Sequence, residues 1–251
     1  KQKTNDIIAC DECLIQNEES NAVIQRVKEL FVEYNIKPYD KVTHRGNIKH
    51  ILTKKGYHSE EFMLCFITYQ KTIKHIDQIV EILIQEFPHI KTIIQNINER
   101  HDNVILGDEE KILYGKGYIY DTLLDNQYKI SLKSFYQINP IQVEKLYQTA
   151  IDLAHINQDS VVLDAYCGIG TITLSLAKHV KKVYGVEVVP QAIEDAKNNA
   201  LLNKIDNAEF VCDDAGKYMV ELVKKNTHLD VVFVDPPRKG CSEEFLEHLL
   251  Q

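Results

Sequence analysis

From about residue 140 onward the sequence alternates short apolar runs with amphipathic segments, and no other feature constrains the fold as tightly. Each apolar run is followed by a segment of helical periodicity, and the runs lie at 161–164, 183–187, 209–212 and 230–234. Short strands that are apolar on both faces are typical of a parallel sheet covered by helices. The alternation therefore predicts a doubly wound, Rossmann-like α/β domain over residues 134–251.

Residues 1–133 show no such alternation. Helical stripes are predicted at 20–34, with Ser20 or Asn21 as the cap, and at 76–87. Strand-like runs fall at 48–53, 62–69, 91–97, 103–106, 111–121 and 127–133. Helices that accompany hairpins in this irregular order are typical of an α+β module, so we expect a smaller α+β domain before the Rossmann-like one.

Composition excludes membrane-spanning and disulfide-rich classes. The 251 residues carry a net charge of −8, and no apolar run approaches the ~20 residues that cross a bilayer. The six cysteines are scattered, which favours reduced thiols in a cytoplasmic protein over a disulfide framework. Cys10 and Cys13 form one CxxC pair, but a metal site needs about four ligands, so we expect no metal in this chain.

One basic segment stands out against the acidic whole. Between Lys37 and His58 the sequence has a single acid, Asp40, and six bases, which are Lys37, Lys41, Arg45, Lys49, Lys54 and Lys55. Such a strip could contact nucleic-acid phosphates. It could equally be a solvated hairpin whose lysines protect an edge strand, and the sequence leaves both interpretations open.

A glycine loop follows the first apolar run of the α/β domain. Gly168 and Gly170 allow the tight turn by which a backbone approaches a ligand at a helix N-terminus. A dinucleotide site would carry a third glycine where Thr173 stands, which disfavours NAD. Asp164 suits a ligand with a cationic amino group and Glu187 suits ribose hydroxyls. A helix cap and a solvated strand end are the alternatives for these two acids.

The last apolar run ends in a rigid corner, Asp235-Pro236-Pro237-Arg238. Ligands of open α/β sheets bind beyond the carboxyl ends of the strands, so Asp235 is expected to face the glycine loop. Two successive prolines fix the backbone and remove two donors. Such a corner can hold a planar base beside a cofactor, whereas a dehydrogenase has no evident need for it.

These residues together carry a family resemblance. The chain resembles the RNA (uracil-5-)-methyltransferases, in particular the branch that modifies 23S ribosomal RNA in Gram-positive bacteria. The resemblance runs over nearly the whole chain, and its most specific stretches are 134–140, 164–171, 184–187 and 235–241, with further similarity at 95–98 and 115–121. It implies a central, RNA-contacting domain over residues 1–133 and a Rossmann-like domain that binds S-adenosylmethionine. It also implies an RNA partner, with ribosomal RNA favoured over transfer RNA.

The resemblance also implies roles for single positions. Cofactor contacts would come from Gln137, Tyr166, Gly168, Gly170, Glu187, Asp214 and Asp235. Asp213 competes with Asp214 for the adenine amino group. The uracil would be bordered by Phe135, Gln137, Asp235 and Arg238, although Phe135 as a plain core residue is an equally fair interpretation.

The family's catalytic groups are expected outside this sequence. The resemblance implies a nucleophilic cysteine in a Ser-Cys-Asn-Pro motif beyond Asp-Pro-Pro-Arg, followed by a glutamate base, and neither occurs in residues 1–251. Cys167 is expected to be a buried thiol, and Cys241 is disfavoured as the nucleophile although a helix begins beside it. We therefore expect a chain truncated at both ends that binds cofactor without turnover.

Truncation carries two further expectations. Without additional strands, residues 230–234 would form an exposed edge, which predicts a dimer or a strand swap there. Cys13 would be one ligand of an iron–sulfur cluster in the parent protein only. The remaining functional alternatives are a transfer-RNA uridine methyltransferase, a nucleobase amino-methyltransferase, a nicotinamide-dependent dehydrogenase and a non-catalytic RNA-binding module.

Overall fold

The computed structural model describes residues 12–249. Cys10, the first cysteine of the CxxC pair, lies outside the described residues. The chain forms two compact units, one made of Lys1–Gly56 and Glu60–Ile119 and the other of Tyr57–Ser59 and Tyr120–Gln251. Within the described residues, no helix is long and apolar enough to cross a membrane.

The first unit is a four-stranded sheet with two helices. Its elements are α1 (Glu18–Glu33), β1 (Ile48–Lys55), β2 (Phe62–Thr68), α2 (Ile76–Glu86), β3 (Ile90–Ile97) and β4 (Glu109–Gly115). The strands lie in sequence order, with β1 and β4 at the edges and only the β2–β3 pair parallel. Side chains of α1 and α2, such as Val27 and Leu83, pack against Phe62, Leu64 and Ile93 of the sheet. The predicted α+β character is therefore observed.

Three local predictions for this unit are wrong. Asn17, rather than Ser20 or Asn21, caps α1, because its side chain accepts a hydrogen bond of 2.8 Å from the backbone N–H of Ser20. Residues 103–106 form a loop, not a strand. The run 111–121 is broken at Gly115, which has a φ of +76° and passes so close to Lys91 that a Cβ would lie 1.9 Å from its carbonyl oxygen.

The second unit has the predicted alternation of strand and helix. Its elements are β5 (Tyr118–Leu123, which begins in the first unit), β6 (Asn126–Ser131), α3 (Pro140–Leu153), β7 (Val161–Asp164), α4 (Thr171–Ala177), β8 (Lys182–Glu187), α5 (Pro190–Leu202), β9 (Ala208–Cys212), α6 (Ala215–Lys224), β10 (Val231–Phe233) and α7 (Glu243–Leu249). Strands β10, β7, β8 and β9 form one parallel sheet in that order. The predicted doubly wound, Rossmann-like fold is confirmed.

Helices cover both faces of this parallel sheet. On one face Met219 of α6 and Phe245 of α7 pack against Leu163 and Val186. On the other, Ile151 of α3 and Leu176 of α4 pack with Val162 and Val183. Successive residues of β7 and β8 thus enter opposite cores, which explains why these strands are apolar at nearly every position.

The hairpin of β5 and β6 is fastened to helix α5. The backbone N–H groups of Gln127 and Lys129 each donate a hydrogen bond of 2.8 Å, to the side-chain oxygens of Asn203 and Asn199 respectively. These contacts group β6 with the second unit, whereas the alternation of strand and helix along the sequence begins near residue 140. The domain boundary between residues 133 and 134 stays a proposal.

Candidate ligand site at the carboxyl edge of the parallel sheet

A cavity of about 820 Å³ lies beyond the carboxyl ends of β7, β8, β9 and β10. The cavity brings together most of the residues that the sequence singled out, because parallel strands end at one edge of a sheet. Its lining includes Phe135, Gln137, Tyr166, Gly168, Glu187, Asp213, Asp214, Asp235, Arg238 and Cys241. A narrower cleft of about 40 Å³ shares Gln137, Tyr166 and Asp235 and adds Tyr147.

The two glycines of the loop have different surroundings. Gly168 lines the cavity with a φ of +53°, and a Cβ built on it would meet no atom within 4 Å. Gly170 does not line the cavity. Its φ is +87°, and a Cβ built on it would lie 3.1 Å from the ring of Phe210. Gly168 therefore leaves open space for a ligand, while Gly170 allows the helix to pack closely on β9.

Asp164 lies beneath the loop and not on the cavity wall. Its side chain is fully buried, and Oδ2 accepts a 2.6 Å hydrogen bond from the hydroxyl of Thr173. Oδ1 is buried without a hydrogen-bond partner within the part of the chain that the structure describes. The pKa of Asp164 is raised to about 6. Burial is the largest cause and the charge of Asp235 adds to it, whereas the hydrogen bonds from Thr173 oppose it. The expectation that Asp164 lines the ligand site does not match this position.

Glu187 ends β8 at the wall of the cavity. Its Oε1 accepts a hydrogen bond of 3.0 Å from the backbone N–H of Val189, which fixes the carboxylate just beyond the strand. Its Oε2 has no hydrogen-bond partner among residues 12–249. This half-buried carboxylate thus keeps one oxygen available to a hydroxyl-bearing ligand.

Asp213 and Asp214 both line the cavity, but they serve the backbone differently. Asp214 is the N-cap of α6, and its Oδ1 accepts hydrogen bonds from the N–H groups of Gly216 and Lys217. Asp213 continues the sheet, since its N–H donates to the carbonyl of Glu187 at 3.1 Å, and its Oδ1 accepts from the N–H of Asp214 at 2.7 Å. Each carboxylate therefore holds part of the local backbone while facing the cavity.

The proline corner follows β10. The carbonyl of Phe233, the last residue of β10, accepts a hydrogen bond of 3.1 Å from the N–H of Ala165, and Gly240 N–H closes a turn on the carbonyl of Pro237 at 2.8 Å. Asp235 and Arg238 are exposed, and both line the cavity. The corner therefore brings an acid and a base to the wall of the cavity that Gly168 also lines.

Two aromatic residues complete the wall from the segment before α3 and from α3 itself. Phe135 is 72% exposed, so its interpretation as a plain core residue is wrong. Tyr147 lies in the narrower cleft, where its hydroxyl is 3.2 Å from Oγ1 of Thr171 and where burial raises its pKa. Sequence reasoning missed Tyr147, whose only signal is its place on the apolar stripe of α3.

The cysteines near the site differ in accessibility. Cys167 is buried as expected, and burial holds the pKa of its thiol far above the usual range. Cys241 is half-buried on the cavity wall. It lies beside Tyr166, whose pKa is raised to about 12 by burial and by this neighbour. Within residues 12–249 no group of three or more His, Cys, Asp or Glu side chains could hold a metal ion.

The charge around the cavity selects among ligands. Four carboxylates line it, from Glu187, Asp213, Asp214 and Asp235, against the two bases Arg238 and Lys239. Such an excess of acid repels a pyrophosphate and attracts a ligand that is neutral or cationic. The residues present therefore fit S-adenosylmethionine, which carries a sulfonium and an amino group on a ribonucleoside, better than NAD.

Comparisons with known proteins agree with this geometry. The family model of the tRNA (uracil-5-)-methyltransferases matches residues 1–251. An uncharacterized RNA methyltransferase of Halalkalibacterium halodurans is 45% identical over 250 residues, and one of Staphylococcus aureus has the same identity. Each match covers 100% of this chain but 55% of the relative, so the chain spans about half the length of the relatives it matches.

A solved structure is similar along nearly the entire chain. It is the tRNA (uracil-54, C5)-methyltransferase of Pyrococcus abyssi in complex with S-adenosyl-L-homocysteine. The TM-score is 0.81 at 27% sequence identity, with 97% of this chain and 57% of that one covered.

Proposed function

The chain belongs to the tRNA (uracil-5-)-methyltransferase family, and on this premise we propose that it binds S-adenosylmethionine for methyl transfer to C5 of uridine in RNA. The observation that carries the proposal is the acidic cavity beside Gly168, with Glu187 and Asp235 on its wall. The S-adenosyl-L-homocysteine bound in the Pyrococcus abyssi neighbour supports the same cofactor class for a protein of this fold.

The lining residues divide the cofactor's groups between them in this proposal. Glu187 accepts hydrogen bonds from the ribose hydroxyls with its free oxygen. Asp213 or Asp214 accepts a hydrogen bond from the adenine amino group. Gln137 and Tyr166 lie against the cofactor where the large cavity and the narrow cleft meet. The bound cofactor would supply an electrophilic methyl group. The carboxylate of Asp235 would help to stabilise the positive charge of the cofactor's sulfonium.

The uracil would enter beside the proline corner. Phe135 presents an exposed ring to the cavity, and Arg238 adds a donor and a positive charge at the same wall. A flipped base that stacks on an aromatic ring and donates its imide N–H to a carboxylate would fit between them. We therefore assign Phe135, Gln137, Asp235 and Arg238 the substrate roles that the family resemblance implies.

For the chemical step we propose the covalent route of the family. In that route a cysteine thiolate would add to C6 of the uracil, and a base would later remove the C5 hydrogen so that the C6–S bond can break. The cofactor would supply the methyl group to C5, with S-adenosylhomocysteine as the leaving group. Cys167 is buried and cannot reach the uracil ring, so Cys241 is the accessible thiol on the cavity wall. We place the nucleophile outside residues 1–251, together with the base.

Two RNA classes remain as substrates. The sequence motifs favour ribosomal RNA through the family branch that they resemble. The transfer-RNA enzyme of Pyrococcus abyssi favours the alternative. We retain ribosomal RNA as the proposed substrate, with a cytoplasmic location, and an iron–sulfur cluster through Cys13 only in a longer parent protein.

Strand β10 supports a proposed dimer or strand swap. It pairs with β7 on one side, and its other side has no partner strand among residues 12–249. Val234, just beyond its end, is 39% exposed. Light scattering tests the proposal: a dimer that becomes monomeric when Val232→Lys is introduced supports it, and a monomer at all concentrations overturns it.

The test of the function is release of tritium from RNA that carries tritiated uridine at C5, because methylation expels that hydrogen. The gene product that carries this sequence at its natural length should release tritium from 23S ribosomal RNA transcripts and not from transfer RNA. Release from transfer RNA alone would replace the substrate class, and release from neither would overturn the proposal.

The same assay tests where the nucleophile lies. Residues 1–251 alone should release no tritium, and Cys241→Ser in the natural-length protein should leave release unchanged. Loss of release in Cys241→Ser, with S-adenosylhomocysteine still bound, would make Cys241 the nucleophile and contradict its placement outside this sequence.

A further inference from the structure

The first unit carries an exposed cluster of rings that the cofactor site does not use. The hydroxyl of Tyr39 lies 2.7 Å from Nδ1 of His44 and 3.1 Å from Nδ1 of His101. The ring of Tyr69 lies 4.8 Å from that of Tyr39 between centroids, and the two imidazoles lie 4.4 Å apart. We call Tyr39, His44, Tyr69 and His101 the ring cluster. Both histidines are exposed and both tyrosines half-buried, so the rings are accessible from solvent.

The loop that carries His101 is held by buried amides at the end of β3. Nδ2 of Asn98 donates to the carbonyls of Val104 and Ile105 at 2.7 and 2.8 Å. Asn96 forms a two-way pair with the backbone of Gly107, at 2.7 and 3.0 Å. Residues 95–98, which the family resemblance includes, thus fix the position of His101.

The loop that carries Tyr39 and His44 is fixed as well. Oδ1 of Asp40 accepts hydrogen bonds of 2.8 Å from the N–H groups of both Val42 and Thr43. Gly46 has a φ of +89°, and a Cβ there would lie 1.9 Å from the carbonyl oxygen of Pro38. These two anchored loops hold three of the rings at the surface beside Tyr69, which follows β2, and hydrophobic burial does not explain this arrangement.

Cations lie on β1 and on residues 37–45 next to the cluster, and the acids Asp40 and Asp102 lie on the same two loops. Nζ of Lys49 lies 5.3 Å from the ring centroid of Tyr39 and donates to the carbonyls of Asn98 and Arg100, which ties β1 to the loop of His101. Lys37, Lys41 and Arg45 lie on the segment that carries His44, and none of the three forms an ion pair within residues 12–249. Further along the same basic strip, Lys55 is neutralised by Glu19 at 2.8 Å.

The basic strip thus divides into two parts with different roles. Lys54 and Lys55 lie on the edge strand β1, where lysines protect an edge from pairing. Lys37, Lys41 and Arg45 form no ion pair within residues 12–249, and they lie on the segment that carries Tyr39 and His44. Rings on which bases stack, flanked by cations that follow a backbone, are the features by which proteins bind single-stranded nucleic acid.

We propose that the ring cluster and the flanking Lys37, Lys41 and Arg45 form a docking surface for a single-stranded segment of the RNA substrate. Bases stack on Tyr69, Tyr39 and His101, and phosphates lie along the three cations. The proposal rests on the proposed function, since it names the part of the chain that holds RNA apart from the base that enters the cofactor cavity.

The test is fluorescence anisotropy of a labelled oligouridylate of about 12 nucleotides titrated with the chain. Tyr69→Ala and His101→Ala should each weaken binding about tenfold, as expected when one stacking partner is lost. Tyr39→Phe keeps the ring and loses both imidazole contacts. It should therefore weaken binding of the oligonucleotide less than Tyr39→Ala does. Lys41→Gln should lower the slope of log affinity against log salt by about 0.7.

Matched controls come from the same unit. Tyr114→Ala removes a tyrosine of β4 that is 38% exposed, and Lys91→Gln removes an exposed lysine of β3. Both controls should bind the oligonucleotide like the unchanged chain. Circular dichroism and titration of S-adenosylhomocysteine show for every variant whether the two units remain folded.

The outcomes separate the two proposals. Folded ring-cluster variants that bind RNA as well as the controls would overturn the docking surface and leave the proposed function in place if S-adenosylhomocysteine still binds. Loss of RNA binding in those variants, in a chain that binds no S-adenosylhomocysteine, would support the surface and contradict the cofactor site. Equal competition by polyglutamate, with no effect of the ring variants, would show a surface for an acidic peptide and overturn the RNA proposal.

Discussion

The hydroxyl of Thr173 donates a hydrogen bond of 2.6 Å to Oδ2 of Asp164, and neither side chain is exposed to solvent. The pair joins the end of β7 to the first turn of α4 and so spans the glycine loop from below. Thr173 stands where a dinucleotide site would carry its third glycine. The residue that disfavours NAD in the sequence is thus also the residue that holds the loop in place.

Thr173→Val tests this contact, because valine keeps the shape and removes the donor. Asp164 would then be buried without the hydroxyl donor of Thr173, and the free energy of unfolding should fall by about 1–3 kcal/mol. Urea denaturation measures the change. Thr173→Ser, which retains a hydroxyl, should lose less, and equal losses in both variants would show that the hydrogen bond contributes nothing.

Asp164 predicts a dependence of stability on pH. Its pKa is raised from 3.8 to about 6, so the folded chain binds more protons than the unfolded chain between these values. The free energy of unfolding should therefore fall as pH rises from about 4 to about 6, by ~3 kcal/mol from this group. Urea denaturation across that range should show the decline in the unchanged chain and not in Asp164→Asn.

Asp230 supplies the contrasting variant. Its Oδ2 accepts a hydrogen bond from the N–H of Val161, and this bond lowers its pKa, so its contribution is lost as pH falls. Asp230→Asn should remove only the decline in the free energy of unfolding that occurs as pH falls. A decline toward neutral pH that persists in Asp164→Asn would show that another group carries it.

The two glycines of the loop predict separable effects. Gly170→Ala should destabilise the chain by about 1–3 kcal/mol, because a Cβ would meet Phe210 at 3.1 Å at a φ of +87°. Gly168→Ala meets no neighbour within 4 Å, so it should cost less stability and weaken S-adenosylhomocysteine binding instead. Thermal unfolding and calorimetric titration of both variants measure the two effects. The reverse pattern would contradict the assignment of Gly168 to the cavity wall.

Accessibility of the thiols predicts which cysteines an alkylating reagent modifies. Cys212 is exposed and Cys241 half-buried, whereas Cys65 and Cys167 are buried, and burial raises the pKa of Cys65 to about 12. Iodoacetamide at neutral pH should label Cys212 first, then the half-buried Cys13 and Cys241, and the buried pair only after denaturation. Peptide mass spectrometry reads the order. Early labelling of Cys167 would show that the loop opens in solution.

The parallel sheet could be predicted closely because its strands enter two cores. In Val161–Asp164 every residue is apolar except the last, and the observed strand has the predicted bounds. The run 103–106 failed for the opposite reason. Val104 and Ile105 are apolar yet about half exposed, at 49% and 48%, and the amide of Asn98 fixes them in a loop.

The site could be predicted as a set of residues but not in its detailed contacts. The ends of strands in a parallel sheet must meet, so Glu187 and Asp235 could be placed in one cavity from the sequence. The burial of Asp164 and the exposure of Phe135 depend on how α4 and the segment before α3 pack. No periodicity in one sequence encodes that packing.

Calorimetric titration of S-adenosylhomocysteine into this chain, beside Glu187→Ala, Asp235→Ala and the control Tyr114→Ala, tests the central claim most directly. We expect the unchanged chain and the control to bind, and we expect each of the two cavity variants to lose about tenfold or more in affinity. Equal affinity in all four proteins, or binding of NADH in place of S-adenosylhomocysteine by the folded chain, would contradict that claim.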